Sequence, residues 1–213
     1  MPENTIKKDS YVLIYLKRGK TWLIKAGGSK LHTHVGYLNL DDLVGKKYGE
    51  TIKTSLDEEM SILEPTTQDF IAKSHRGTQI IYPKDAGLIT TKMNVHSGTK
   101  VVEVGTGSGA FTTHLANLVR PDGHVYSYDI REDCIKLAEG NLRRAGLSEF
   151  VTLTMMDAKD EINIRDADAA MIDVGDPWSV VETVWKTLKG GGLLSSLSPT
   201  MNQVEKITIK LEE

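Results

Sequence analysis

The pattern of apolar and polar positions divides the chain into two styles. Through residue 64 it gives short, strand-like runs closed by turn residues. YVLIYL (11–16) and TWLIKA (21–26) flank Lys17, Arg18, Gly19 and Lys20, a spacing that predicts a hairpin. Gly27, Gly28 and Ser29 then separate off KLHTHVGYL (30–38) as a further strand. These runs predict a small β-rich, barrel-like domain over 1–64, ended by Glu64 and Pro65.

Helical signals enter after residue 65. Thr66 or Thr67 caps a predicted helix over TQDFIAKSH. TQIIYPKD is an extended run stopped by Pro83, and Asp85 is placed to cap a helix over DAGLITTKMNV. From residue 100, strand and helix alternate. KVVEVG leads to GAFTTHLANLV, and HVYSYDI leads to EDCIKLAEGNLRRAG. FVTLTMM runs into a loop. DAAMIDV leads to WSVVETVWKTL, and GGLLSSLS leads to MNQVEKITIKLEE. Five such units predict an α/β domain over 65–213, with a Rossmann-like parallel sheet and helices on both faces.

Composition changes this picture little. No apolar run reaches the roughly 20 residues of a membrane span, and the first residues lack the apolar core of a signal peptide. Cys134 is the only cysteine, so no internal disulfide forms, and a cytoplasmic setting is expected. His32 and His34 would share one strand face, but no cysteine or carboxylate stands at ligand spacing, so no metal site is expected. Charge is more informative. The net charge is −3, yet residues 1–100 carry 15 Lys+Arg against 11 Asp+Glu, while residues 101–213 carry 11 against 18. A basic front module is compatible with a polyanionic partner. Lys17, Arg18, Lys20, Lys46 and Lys47 are its candidate phosphate contacts.

The candidate chemistry lies at the ends of the predicted parallel strands. VVEVGTGSG sets Gly105, Gly107 and Gly109 at a strand-to-helix turn. The spacing is GxGxG, whereas a dinucleotide fold places its third glycine one position later. No lysine follows, so this is not a Walker loop. Glu103 stands two residues before the first glycine, where a carboxylate reaches a ligand's amino group. Asp129 ends the next strand, placed to accept both hydroxyls of a ribose. Asp157 ends the third, placed to accept an adenine's exocyclic amine. Together these match S-adenosylmethionine better than NAD. The fourth strand ends in MIDVGDPW (171–178), two carboxylates with a proline and a tryptophan. Asp176 is either a helix cap or a partner of the site, and Trp178 is either a packing residue or a base contact.

In these motifs the chain resembles the class I methyltransferases and, more narrowly, the tRNA (adenine-N1)-methyltransferase family. The resemblance rests on E-x-G-T-G-S-G at 103–109 and on the TQIIYPKD segment, residues 78–85. It rests also on D-x-x-[ED]-P-W at Asp173, Asp176, Pro177 and Trp178, and on P-x-x-x-Q at Pro199 and Gln203. The resemblance implies transfer of a methyl group from S-adenosylmethionine to N1 of an adenine in the tRNA T-loop, at position 58 with 57 a further candidate. It implies Asp173 as the catalytic acid, with Tyr82 beside it. It also implies a cofactor site of Gln79, Glu103, Gly105, Thr106, Gly107, Ser108, Gly109, Ala110, Asp129, Asp157, Ala158 and Asp173. Trp178, Lys17, Arg18 and Lys20 would meet the tRNA. A homotetramer is expected by resemblance. The family's sheet has two more strands than the five predicted here, so C-terminal strands are expected to be missing. The alternatives are a corrinoid-type small-molecule methyltransferase and a non-catalytic tRNA-binding subunit.

Overall fold

The computed structural model describes residues 4–17, 19–75, 77 and 79–213; Arg18 and Thr78 lie outside the described residues. The chain forms two compact units, 1–73 and 74–213.

In the first unit the predicted hairpin forms. β1 (Tyr11–Leu16) pairs antiparallel with β2 (Lys20–Lys25), Val12 facing Ile24 and Ile14 facing Trp22. KLHTHVGYL is not one strand. It folds on itself as β3 (Lys30–Thr33) and β4 (Gly36–Asn39), with His34 in the turn, so His32 and His34 do not share a strand face. Gly36 makes the fold possible. Its φ is +102°, and a Cβ there would lie 2.8 Å from Ser55 Oγ. β5 (Thr51–Lys53) and β6 (Glu59–Leu63) complete a sheet of order β2-β1-β6-β5, with β3-β4 a separate ribbon. Among the described residues these strands do not close into a hydrogen-bonded barrel, because β2 and β5 remain ends of the sheet. Ile6, Val12, Ile14, Leu38, Leu43, Met60 and Ile62 fill its core.

The first unit runs past Pro65. α1 (Thr67–Ala72) starts at Thr66, whose hydroxyl accepts from Asp69 N while the Asp69 carboxylate accepts from Thr66 N. The helix belongs with the β-rich unit. Phe70 meets Tyr11 edge-on at 5.5 Å, and Lys73 Nζ donates to Thr21 O at 3.0 Å. Both contacts bridge more than fifty residues of chain, which is why local pattern placed the boundary earlier.

The second unit begins with α2 (Pro83–Lys92). Tyr82 rather than Asp85 is its N-cap, and Pro83 takes the first helical position, where its missing N–H costs nothing. β7 (Lys100–Val104), α3 (Ala110–Val119), β8 (His124–Asp129), α4 (Glu132–Ala145) and β9 (Val151–Met155) follow as read from sequence. β10 (Ala167–Ile172) leads to a 3-10 turn, Pro177–Ser179, and a short α5 (Val181–Trp185). The predicted helix over WSVVETVWKTL is thus broken in two. The break falls at Val180, whose φ of −111° lies outside the helical range between the two segments. β11 (Leu188–Ser196) and α6 (Met201–Glu212) complete the unit. The sheet is parallel throughout, in the order β11-β10-β7-β8-β9. Val101, Val125 and Met171 face α2, α3 and α4, while Val102, Val104 and Ile172 face α5 and α6. The strand order reverses at β7, so a crevice opens at the carboxyl ends of β7, β8 and β10.

Candidate functional site

A cavity of about 460 Å³ occupies that crevice, a size suited to a nucleoside-sized ligand. Gln79, Glu103, Gly105, Thr106, Gly107, Ser108, Ala110, Asp129, Asp157, Ala158 and Asp173 all line it. Gly109 stands behind the wall. It caps α3 at φ +75°, and its missing side chain admits Ala138 of α4, which a Cβ would meet at 2.8 Å.

The floor is a network of buried polar groups. Glu103 sits inside the sheet, 2% exposed. Thr112 and Ser127 each donate a hydroxyl to its Oε2 at 2.6 Å. Burial still dominates and raises its pKa from 4.5 to about 7; the two hydroxyls oppose the rise, while Asp173 and Asp129 add to it. Thr106 and Ser127 hydroxyls bond at 2.6 Å, and Gly107 N donates to Asp129 Oδ2 at 2.9 Å. Asp129 therefore shapes the glycine loop as well as facing the cavity. Ser108 Oγ is buried with no hydrogen-bond partner among the described residues. Such a group is costly unless a ligand satisfies it.

The donor set fits S-adenosylmethionine. Glu103 suits the ammonium, and the first amides of α3, which lack intrahelical acceptors, suit the carboxylate. Asp129 suits the ribose and Asp157 the adenine amine, between the apolar side chains of Ile130, Met156, Ala158 and Val180. Ile130 and Met156 were not singled out in the sequence. Their signal was local: each is an apolar residue adjoining a strand-end acid.

Asp173 lies one residue beyond β10, half-buried. Its N–H donates to Val104 O at 2.8 Å. Among the described residues nothing hydrogen-bonds its carboxylate, and burial raises its pKa. Asp176 does not cap the next turn with its side chain. Its carboxylate pairs with Lys159 Nζ at 2.9 Å, joining the loops after β9 and β10 at the cavity and lowering the Asp176 pKa. Trp178 is outside the cavity lining, with Lys206 of α6 over its ring at 4.6 Å. Tyr82 is likewise outside the lining, exposed at the start of α2. Lys17 and Lys20 are exposed in the first unit, Lys20 Nζ standing 3.3 Å from His34 Nε2.

Comparison with known proteins gives the same picture. Residues 60–213 match the family described as "tRNA methyltransferase complex GCD14 subunit". The chain is 32% identical to a tRNA (adenine(57)-N(1)/adenine(58)-N(1))-methyltransferase of Methanocaldococcus jannaschii, over 96% of this chain and 80% of the relative. A Thermotoga maritima structure described as a SAM-dependent O-methyltransferase superposes with TM-score 0.92 at 38% identity, covering 98% of this chain and 79% of that one. The tRNA (m1A58) methyltransferase of Aquifex aeolicus superposes with TM-score 0.84 at 33% identity, covering 98% and 82%. The cofactor of this fold is S-adenosylmethionine. The chain belongs to the GCD14 family of tRNA methyltransferases, on the class I fold with an antiparallel β-domain ahead of it.

Proposed function

We propose that the protein methylates N1 of adenine 58 in the tRNA T-loop, with adenine 57 a second target of the same chemistry. The observation that carries this reading is Asp173, a half-buried carboxylate without a hydrogen-bond partner among the described residues, on the wall of the cofactor cavity. The names of the archaeal and Aquifex relatives support it.

S-adenosylmethionine, when bound, supplies an electrophilic methyl group on a cationic sulfur. The chain's part is positioning and charge. Glu103, Asp129 and Asp157 hold the ligand's polar ends, with Gln79 closing the wall. Asp173 accepts the N6–H of the target adenine and balances the positive charge that develops as N1 is alkylated; it can then take the N6 proton. Tyr82 and Trp178 are proposed base contacts, and Lys17, Arg18 and Lys20 phosphate contacts. A homotetramer is proposed, supported by exposed Met201, Ile209 and Leu211 on α6 and by β11 as an open sheet edge among the described residues. No helix among the described residues is long and apolar enough to cross a membrane, and a cytoplasmic enzyme is proposed.

The test is Asp173→Ala, assayed with labelled cofactor and a tRNA transcript. Cofactor affinity should hold while kcat falls about 10²–10⁴-fold. The product should block reverse transcription at the T-loop adenine. The Thermotoga neighbour's description favours a second reading, transfer to oxygen. A ribose-methylated product would leave the Watson–Crick edge free and support that reading instead.

A further inference from the structure

Gln203 links α6 to the loop that carries Asp173, and we propose that it is a positioning residue, holding Asp173 against the methyl acceptor by gripping Gly175. The inference rests on the catalytic reading of Asp173 given above. Asp173 is aimed by its backbone, since no side chain among the described residues holds its carboxylate. Upstream that backbone is fixed. Asp173 N donates to Val104 O at 2.8 Å, and its carbonyl packs so closely on Gly105 that a Cβ there would lie 2.1 Å away.

The downstream hold comes from α6. Thr200 N and Thr200 Oγ1 donate to Gln203 Oε1 at 3.2 and 2.8 Å, while Gln203 N donates to Thr200 Oγ1 at 3.3 Å. This capping box fixes the amide's orientation. Its other end, Nε2, donates to Gly175 O at 3.0 Å. On the same helix face, Ile207 is buried in the core and Lys206 covers Trp178, so the helix is itself anchored. One amide thus performs two tasks. Its oxygen caps the helix and its nitrogen holds the loop.

The two tasks separate by substitution. Gln203→Glu keeps a favoured capping-box residue but sets a carboxylate against the Gly175 carbonyl. Thr200→Ala removes the hydroxyl of the cap, while the backbone N–H at position 200 still donates to Gln203 Oε1 and keeps the amide donor turned to Gly175. Gln203→Glu should match the wild-type melting temperature and cofactor Kd, hold KM for tRNA within about twofold, and lose about 10–100-fold in kcat. Thr200→Ala should melt lower and keep kcat within about threefold. An unchanged kcat in Gln203→Glu overturns the proposal. So does a kcat loss that tracks melting temperature in both variants, the mark of a merely structural role. Asp173→Asn keeps the two readings apart. If it turns over like wild type, the reading of Asp173 fails; if it is inactive while Gln203→Glu is fully active, only the Gln203 inference fails. Where both hold, adding Gln203→Glu to Asp173→Asn should bring no further loss.

Discussion

The two loops that meet at the cavity are held in opposite ways. The loop after β7 is fixed from within. Thr106, Gly107 and Glu103 bond to Ser127, Asp129 and Thr112, all on neighbouring elements of the core. The loop after β10 is tied to the sheet at Asp173, and beyond that residue it is fixed from outside. Lys159 holds Asp176, Gln203 holds Gly175, and Lys206 covers Trp178, all from partly or fully exposed positions. The first arrangement gives a rigid cradle for a ligand common to the fold. The second ties its loop to surface residues, which can change without disturbing the core.

The contrast breaks most sharply at Gly105. This glycine sits at φ +103°, and an added Cβ would meet Asp173 O at 2.1 Å, backbone that cannot step aside. Gly105→Ala must move both loops at once. Left-handed strain alone costs about 1–3 kcal/mol, and the clash adds to it. The variant should lose cofactor binding in calorimetry and all methyl transfer, with a lowered melting temperature. A Gly105→Ala protein with wild-type affinity would mean that the inner loop is not rigid.

Glu103 sharpens the comparison through pH. The carboxyl titrates near 4.5 when unfolded and near 7 when folded. Between those values the folded protein keeps a proton that the unfolded chain has released. Its contribution to stability is therefore full below pH 4.5 and is lost as pH rises towards 7. That interval corresponds to about 3 kcal/mol. Glu103→Gln should remove this part of the pH dependence, read as the difference between wild-type and variant denaturation at each pH. A ligand ammonium favours the ionised form, so cofactor affinity should rise through pH 7 in wild type and stay flatter in the variant. Identical profiles would place the titrating group elsewhere.

What the sequence disclosed follows the same division. Glu103, Gly105, Gly107 and Asp129 obey rules of short range, an acid or a glycine near a strand end, and all four line the cavity. The parallel sheet of the second unit was legible for the same reason, since each βα unit carries its own periodicity; the order of its strands was not. Long-range partners were not. Gln203 stood in a motif, but nothing local says that its amide crosses 28 residues to Gly175. Local pattern left Asp176 between a cap and a partner of the site, because the residue that takes its carboxylate, Lys159, lies on another loop. The turn at His34 depends on Gly36 meeting Ser55, and the allegiance of α1 depends on Phe70 meeting Tyr11.

The smallest expected effect completes the contrast, at the glycine of the outer loop. Gly175 has no positive φ and nothing within 4 Å of an added Cβ. Gly175→Ala keeps the carbonyl that Gln203 grips. It also narrows the unfolded ensemble, an effect worth about 0.4–1 kcal/mol where the backbone is compatible. The variant should melt at or slightly above wild type, with kcat within about twofold. Because the Gln203 contact uses only the backbone oxygen, alanine here leaves the outer hold intact while the same change at Gly105 destroys the inner one. A large kcat loss in Gly175→Ala, with unchanged stability, would show that the outer loop needs glycine's freedom during turnover, and that its external contacts yield as the acceptor base enters.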